Sequence, residues 1–271
     1  MNWKKAAAVL LLLGLLPGLA GCGGEKTAES AVSPETGAAL PAPAALTPEP
    51  TPEPTPLPTP RPPVPETIEE SWFDDAVFIG DSITGMLSSY TLLNGGLGQA
   101  DIIYANSYSC HGAVEEDLKL SYQGERLSMP ELVEKTGAGK SFFLLAMNDL
   151  SRKPEEIKEC WAEILEEIRS RCPDTQVFIQ SGTPLFTETG YLNNDNVELL
   201  NEALKDFCLE NHCVYVDIAQ GLKDEEGKMQ GKFSLDYAHF NGDGCKVWIE
   251  ALMDSDNYYY SPDMGTQEET K

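Results

Sequence analysis

The sequence predicts an α/β protein: one three-layer α/β/α domain, residues 67–257, around a five-stranded parallel sheet. Three observations point there. Apolar runs alternate with amphipathic stretches from Thr67 to about Asn257, which is how strands and crossover helices read in sequence. The runs are short, β-branched or aromatic and almost continuously apolar, as strands covered on both faces must be. The stretch of about 190 residues is also long enough to bury a substantial core as one domain.

In chain order the expected strands are Ala76–Ile79 (AVFI), Asp101–Ala105 (DIIYA), Ser141–Ala146 (SFFLLA), Gln176–Gln180 (QVFIQ) and Val214–Ile218 (VYVDI). The helices are marked by period. Pro154–Arg171 repeats Ile157, Trp161, Ile164, Leu165 and Ile168 at spacings of three and four, with a proline suited to the first turn. Val197–Leu209 does the same through Leu200, Leu204 and Phe207, and Gly244–Met253 through Val247, Trp248, Ala251 and Leu252. Residues 258–271 read as a frayed, disordered acidic tail. The stretch Tyr122–Lys140 reads as a variable loop, the expected place for substrate preference to be set.

The first quarter of the chain is not fold material. Lys4 and Lys5 precede a 15-residue apolar run, Ala6–Ala20, broken by Gly14 and Pro17; it is shorter than the ~20 residues of a membrane span and has the layout of an export signal, residues 1–21. The run ends Leu19-Ala20-Gly21-Cys22, which resembles a bacterial lipobox. Cys22 would then carry two acyl chains, enough to hold the protein through an N-terminal lipid to the extracytoplasmic face of the cell membrane. Residues 22–66 include TPEPTPEPTPLPTPRPP (Thr47–Pro63). Proline lacks an N–H and presets φ, so the stretch is expected to act as an extended spacer, ~90 Å for ~30 residues.

Charge narrows the partners. The chain of 271 residues carries 19 Lys plus Arg and 44 Asp plus Glu, a net −25. Residues 67–271 alone hold 38 acids and 15 bases, −23. Nucleic-acid binders present basic stripes that displace counterions, so nucleic acid is excluded as a partner. Six cysteines remain after Cys22; they permit 15 pairings or none, and the pairing stays open. Cys208, His212 and Cys213 lack a second ligand pair at zinc spacing, so no metal is expected.

In open parallel sheets chemistry collects beyond the carboxyl ends of the strands. Strand one runs into Gly80-Asp81-Ser82, where a sharp strand-to-helix turn displays a hydroxyl beside helix N-terminal amides. Strand three runs into Met147-Asn148-Asp149, an amide at the same edge that can donate to a developing oxyanion. Asp236-Tyr237-Ala238-His239 precedes the last helix; a carboxylate three residues before an imidazole can reach the ring nitrogen that faces away from the serine. Of the three histidines, His212 lies at the amino end of a strand and His111 lacks an orienting acid. Only His239 is equipped for proton transfer.

The three blocks, in this order, resemble the SGNH (GDSL-like) hydrolase superfamily of esterases and acylhydrolases, which has a flavodoxin-like sheet; the resemblance spans roughly Phe73–Met253. It implies Ser82 as nucleophile, His239 as general base, Asp236 as its orienting acid, and an oxyanion hole of Asn148, the Ser82 backbone N–H and a glycine after strand two, for which Gly112 is the best match. It also implies no cofactor. Ala146 stands two residues before Asn148, where the family usually has glycine. The expected protein is a monomeric surface-tethered ester hydrolase acting on a small-molecule or glycan ester. An O-acyltransferase using the same acyl-enzyme, or a carbohydrate-binding lipoprotein without turnover, are the alternatives.

Overall fold

The computed structural model describes residues 63–145 and 147–264. The export signal, Cys22, the spacer up to residue 62, Ala146 and residues 265–271 lie outside the described residues. A six-stranded sheet has the order β2-β1-β5-β6-β7-β8, formed by β1 (Ala76–Gly80), β2 (Asp101–Tyr104), β5 (Lys140–Leu144), β6 (Gln176–Gln180), β7 (Val214–Val216) and β8 (Tyr258–Tyr259). The first five are parallel, as expected. The sixth pairs antiparallel with β7, so the ordered domain runs past Asn257 and the expected tail begins later: Tyr258 is buried and its hydroxyl donates to the Leu252 carbonyl at 2.7 Å. At the other end Val64 and Ile68 are buried, so the fold also takes in the last residues of the expected spacer.

Burial explains the strands. β1 and β5 are buried at every position, and the parallel register aligns Phe78, Phe142 and Phe178 across three strands. Their rings stack at 4.6 and 4.3 Å between centroids, with Trp72 edge-on to Phe142 and Phe178. Such pairs add to the large area each ring buries. Helices α1 (Ser82–Asn94), α4 (Pro154–Arg171), α5 (Asn194–Glu210) and α6 (Gly242–Leu252) cover the sheet, and the Trp248 Nε1–H donates to Gln180 Oε1 at 2.8 Å, tying α6 to the carboxyl end of β6.

The segment between β2 and β5 departs from expectation. It holds α2 (Cys110–Glu115), a hairpin of β3 (Leu120–Tyr122) and β4 (Glu125–Leu127), and α3 (Met129–Thr136). Tyr122–Lys140 is therefore mostly ordered secondary structure, and none of it lines the cavity beside Ser82. Ser128 and Glu131 form a reciprocal capping box on α3, and Gly137, at φ 64°, closes it in a left-handed conformation. All six described cysteines are free thiols, five of them buried. Among the described residues no helix is long and apolar enough to cross a membrane, and no group of three or more His, Cys, Asp or Glu is placed to hold a metal ion.

Candidate active site

At the carboxyl end of β1 the chain turns at Gly80 and enters α1 at Ser82. A side chain at 80 would meet Thr84 Oγ1 and the Leu144 carbonyl, the latter at 2.6 Å, so the close approach of β1 to β5 and α1 demands glycine there. Asp81 caps α1, its Oδ1 accepting from the Ile83 N–H at 2.9 Å. Ser82 is left as the first helical residue with its hydroxyl at the sheet edge.

The segment 236–241 is a pair of side-chain turns. Asp236 Oδ1 accepts from the backbone N–H groups of Ala238 (2.9 Å) and His239 (2.8 Å), and Asn241 caps α6 through the N–H groups of Asp243 and Gly244. Between these anchors His239 points at Ser82. Nε2 lies 2.8 Å from Ser82 Oγ, and Nδ1 lies 2.9 Å from Asp236 Oδ2. Partial burial alone works to raise the Asp236 carboxyl, but the two backbone N–H groups and the imidazole outweigh it and hold it below the usual carboxylate value.

Asn148 sits in a short 3₁₀ turn, Met147–Asp149, after β5. Its Nδ2 donates to Asp81 Oδ2 at 2.8 Å and to the Tyr108 carbonyl at 3.2 Å. Asp81 is 1% exposed. Burial pushes its carboxyl up to about 6 against the Ile83 and Thr84 N–H groups and the charge of His239, which favour ionisation. This long-range partner of the amide was invisible in the local sequence.

Gly112 is not brought to the site, which corrects the expected assignment. Its N–H donates at 2.9 Å to Ser109 Oγ, the cap of α2, and a side chain at 112 would strike Leu118. The neighbouring His111 N–H reaches Asp149 Oδ2 at 3.3 Å. Burial raises the Asp149 carboxyl, while the His111 and Cys110 N–H groups and the Ser109 hydroxyl oppose that rise. The amides that opening α2 could have offered an oxyanion are thus taken by Ser109 and Asp149. His212 lies at the opposite edge beside Asp263, at 3.6 Å. Neither it nor His111 lines the cavity.

A serine hydroxyl, an imidazole and a carboxylate in series, at the carboxyl edge of a parallel sheet, form the arrangement that acyl transfer requires. Residues 78–247, which contain all three, match the model of the GDSL-like Lipase/Acylhydrolase family. The chain belongs to that family. As a GDSL-like hydrolase it is an ester-hydrolysing enzyme. Similar solved structures include a candidate platelet activating factor protein from Streptococcus pneumonia, 17% identical, covering 66% of this chain and 81% of its own, with a TM-score of 0.51. A candidate acylhydrolase from Bacteroides fragilis is 16% identical over 65% of this chain and 83% of its own, TM-score 0.51. A GDSL-like lipase from Bacteroides thetaiotaomicron is 14% identical over 65% and 84%, TM-score 0.51. At these identities the likeness concerns the fold, which is the GDSL-like hydrolase fold. None of the curated proteins matches the chain significantly.

Proposed function

We propose that this GDSL-like enzyme is a serine carboxylic-ester hydrolase that works outside the cytoplasmic membrane, tethered through Cys22, on O-acyl groups of surface or imported glycans. The observation that carries the catalytic reading is the continuous hydrogen-bonded series Ser82–His239–Asp236, at 2.8 and 2.9 Å. The location is read from Lys4, Lys5, the apolar run and Cys22.

In the proposed cycle Ser82 Oγ attacks the ester carbonyl carbon while its proton passes to His239 Nε2. Asp236 holds the Nδ1–H and stabilises the imidazolium. The tetrahedral adduct collapses, the C–O bond to the alcohol breaks, and Nε2 returns the proton to that alcohol. Water then gives a proton to Nε2, attacks the acyl-enzyme and releases the acid, restoring the Ser82 hydroxyl. The Ser82 N–H and Asn148 serve the oxyanion. Of the two amide hydrogens of Asn148, Asp81 fixes one; the other, on the longer bond to Tyr108, is the one an oxyanion would recruit.

A fluorophosphonate probe tests this directly. Wild-type protein is expected to carry one label on Ser82, and Ser82→Ala none; a label that persists in the variant would dismiss Ser82 as nucleophile. Asn148→Ala is expected to lower kcat on an aryl acetate by about 10²- to 10³-fold, the scale for loss of one oxyanion donor. A near-normal kcat would remove Asn148 from the oxyanion hole.

A further inference from the structure

We propose that the acyl half of the substrate is short and uncharged, of acetyl size, and that Leu185 and Leu192 set this limit. The inference rests on the reading of Ser82 as nucleophile.

The cavity beside Ser82 and His239 has a volume of about 60 Å³. The six carbons of benzene fit a cavity of about 150 Å³, about 25 Å³ each, so the site takes two or three non-hydrogen atoms. The carbonyl carbon and its oxygen use two of these places, and a methyl carbon fills the rest. The apolar part of the lining includes Met147 and Leu150 after β5 and Leu185 and Leu192 between β6 and α5, and no Lys or Arg is among the lining residues. With Asp81 buried in the floor and Asp236 behind His239, a carboxylate-bearing acyl group such as succinyl would meet two acids and no base. Two larger cavities among the described residues, about 430 and 310 Å³, involve neither Ser82 nor His239, so neither of these extends the site for a longer chain.

The wall is also fixed in place. Asn194 and Asn201 lie seven residues apart on the buried face of α5. The Asn194 amide accepts from the Leu185 N–H at 2.8 Å and donates to the Leu185 carbonyl at 3.0 Å. Asn201 does the same to Gly182, at 2.7 and 3.3 Å. On the outer side the Phe186 N–H donates to the Tyr237 carbonyl at 2.8 Å, joining the wall to the loop that carries His239. Displacing the Leu185 backbone to widen the site for a long chain would break these reciprocal amide bonds and leave buried polar groups unpaired. A site whose walls are rigid selects by size.

The test uses the full-length protein and a series of aryl esters with one leaving group: acetate, propionate, butyrate, hexanoate, octanoate and hemisuccinate. Expected is a maximum kcat/KM at acetate, at least ~10-fold lower values for octanoate and hemisuccinate, and loss of all turnover in Ser82→Ala. Leu192→Ala, at a partly buried position, and Leu185→Ala should each raise the octanoate-to-acetate ratio by ~10-fold or more. Octanoate turned over as well as acetate by the wild type, with turnover still dependent on Ser82, would overturn the size limit while leaving the nucleophile in place. An unchanged ratio in both leucine variants would overturn it equally. Turnover that survives Ser82→Ala would overturn both readings together.

Discussion

Ser82→Ala is expected to lower kcat/KM for an aryl acetate by ~10⁴- to 10⁶-fold, with the melting temperature nearly unchanged. The kinetic loss follows from the series at 2.8 and 2.9 Å: without Oγ the imidazole has no proton to take, and only the oxyanion donors and binding remain to accelerate attack by water. The thermal result follows from the local structure. The cap of α1 is Asp81, not Ser82, so removing Oγ deletes the bond to His239 and leaves the helix start intact. His239→Ala should fall in the same range, and the double variant should be no worse than either single one, because residues that act in one proton transfer are strongly non-additive. Activity within tenfold of wild type in either single variant, or a double loss equal to the product of the two, would mean that Ser82 and His239 do not work as a unit.

How much of this was readable in sequence depended on whether the deciding interaction was local. The bounds of α4 agree to the residue, because a proline at the first position and an unbroken apolar period state the helix within one segment. The Gly-Asp-Ser, Asn-Asp and Asp-x-x-His blocks likewise placed Ser82, Asn148, Asp236 and His239 at one edge, since strand ends must share that edge in a parallel sheet. The hairpin β3–β4 went unread: its strands have three residues each and little hydrophobicity, and its signal is confined to a turn with Gln123 and Gly124 at φ 50° and 85°. The capping box of α3, Ser128-x-x-Glu131, is legible, but only Met129, Leu132 and Val133 mark an apolar face behind it, too few to define a helical period. Strand β8 depends on β7 lying beside it, which no run of two residues can announce. The Gly112 amide is not free for an oxyanion because Ser109, three residues earlier, is the natural cap that claims it. The wall of the acyl cavity had a signal too. Asn194 and Asn201 interrupt the apolar face of α5 at positions in phase with Val197, Leu204 and Cys208, and buried amides on such a face must be bonded to something.

Asp81→Asn is expected to make the enzyme more stable above pH 6 and less active. Desolvation raises the folded-state carboxyl of Asp81 from 3.8 to about 6. A carboxyl whose folded value lies above its unfolded value keeps its full contribution below the unfolded value and loses it as pH rises through the folded one. The wild type should therefore lose on the order of 2 kcal/mol between pH 4 and pH 6 from this residue, relative to a variant that cannot ionise. Urea unfolding of both proteins from pH 4 to 7 isolates that slope, because any fixed cost of refitting the amide shifts the difference curve without tilting it. What the buried charge maintains is the orientation of Asn148. A carboxylate only accepts, so it admits Asn148 in the one orientation that presents Nδ2 to Asp81 and to the site. An asparagine at 81 would spend its oxygen on the Ile83 N–H and turn its own NH₂ toward Asn148, which must then flip and offer an oxygen where the oxyanion needs a donor. A fall in kcat of ~10²-fold is expected, the cost of one oxyanion donor, with Ser82 still in place. A flat difference curve would show that burial does not raise the Asp81 carboxyl, and an unchanged kcat would show that the Asn148 amide needs no help in facing the substrate. Tilt and loss together would identify Asp81 as a residue that destabilises the fold at neutral pH because catalysis requires an acceptor at that position.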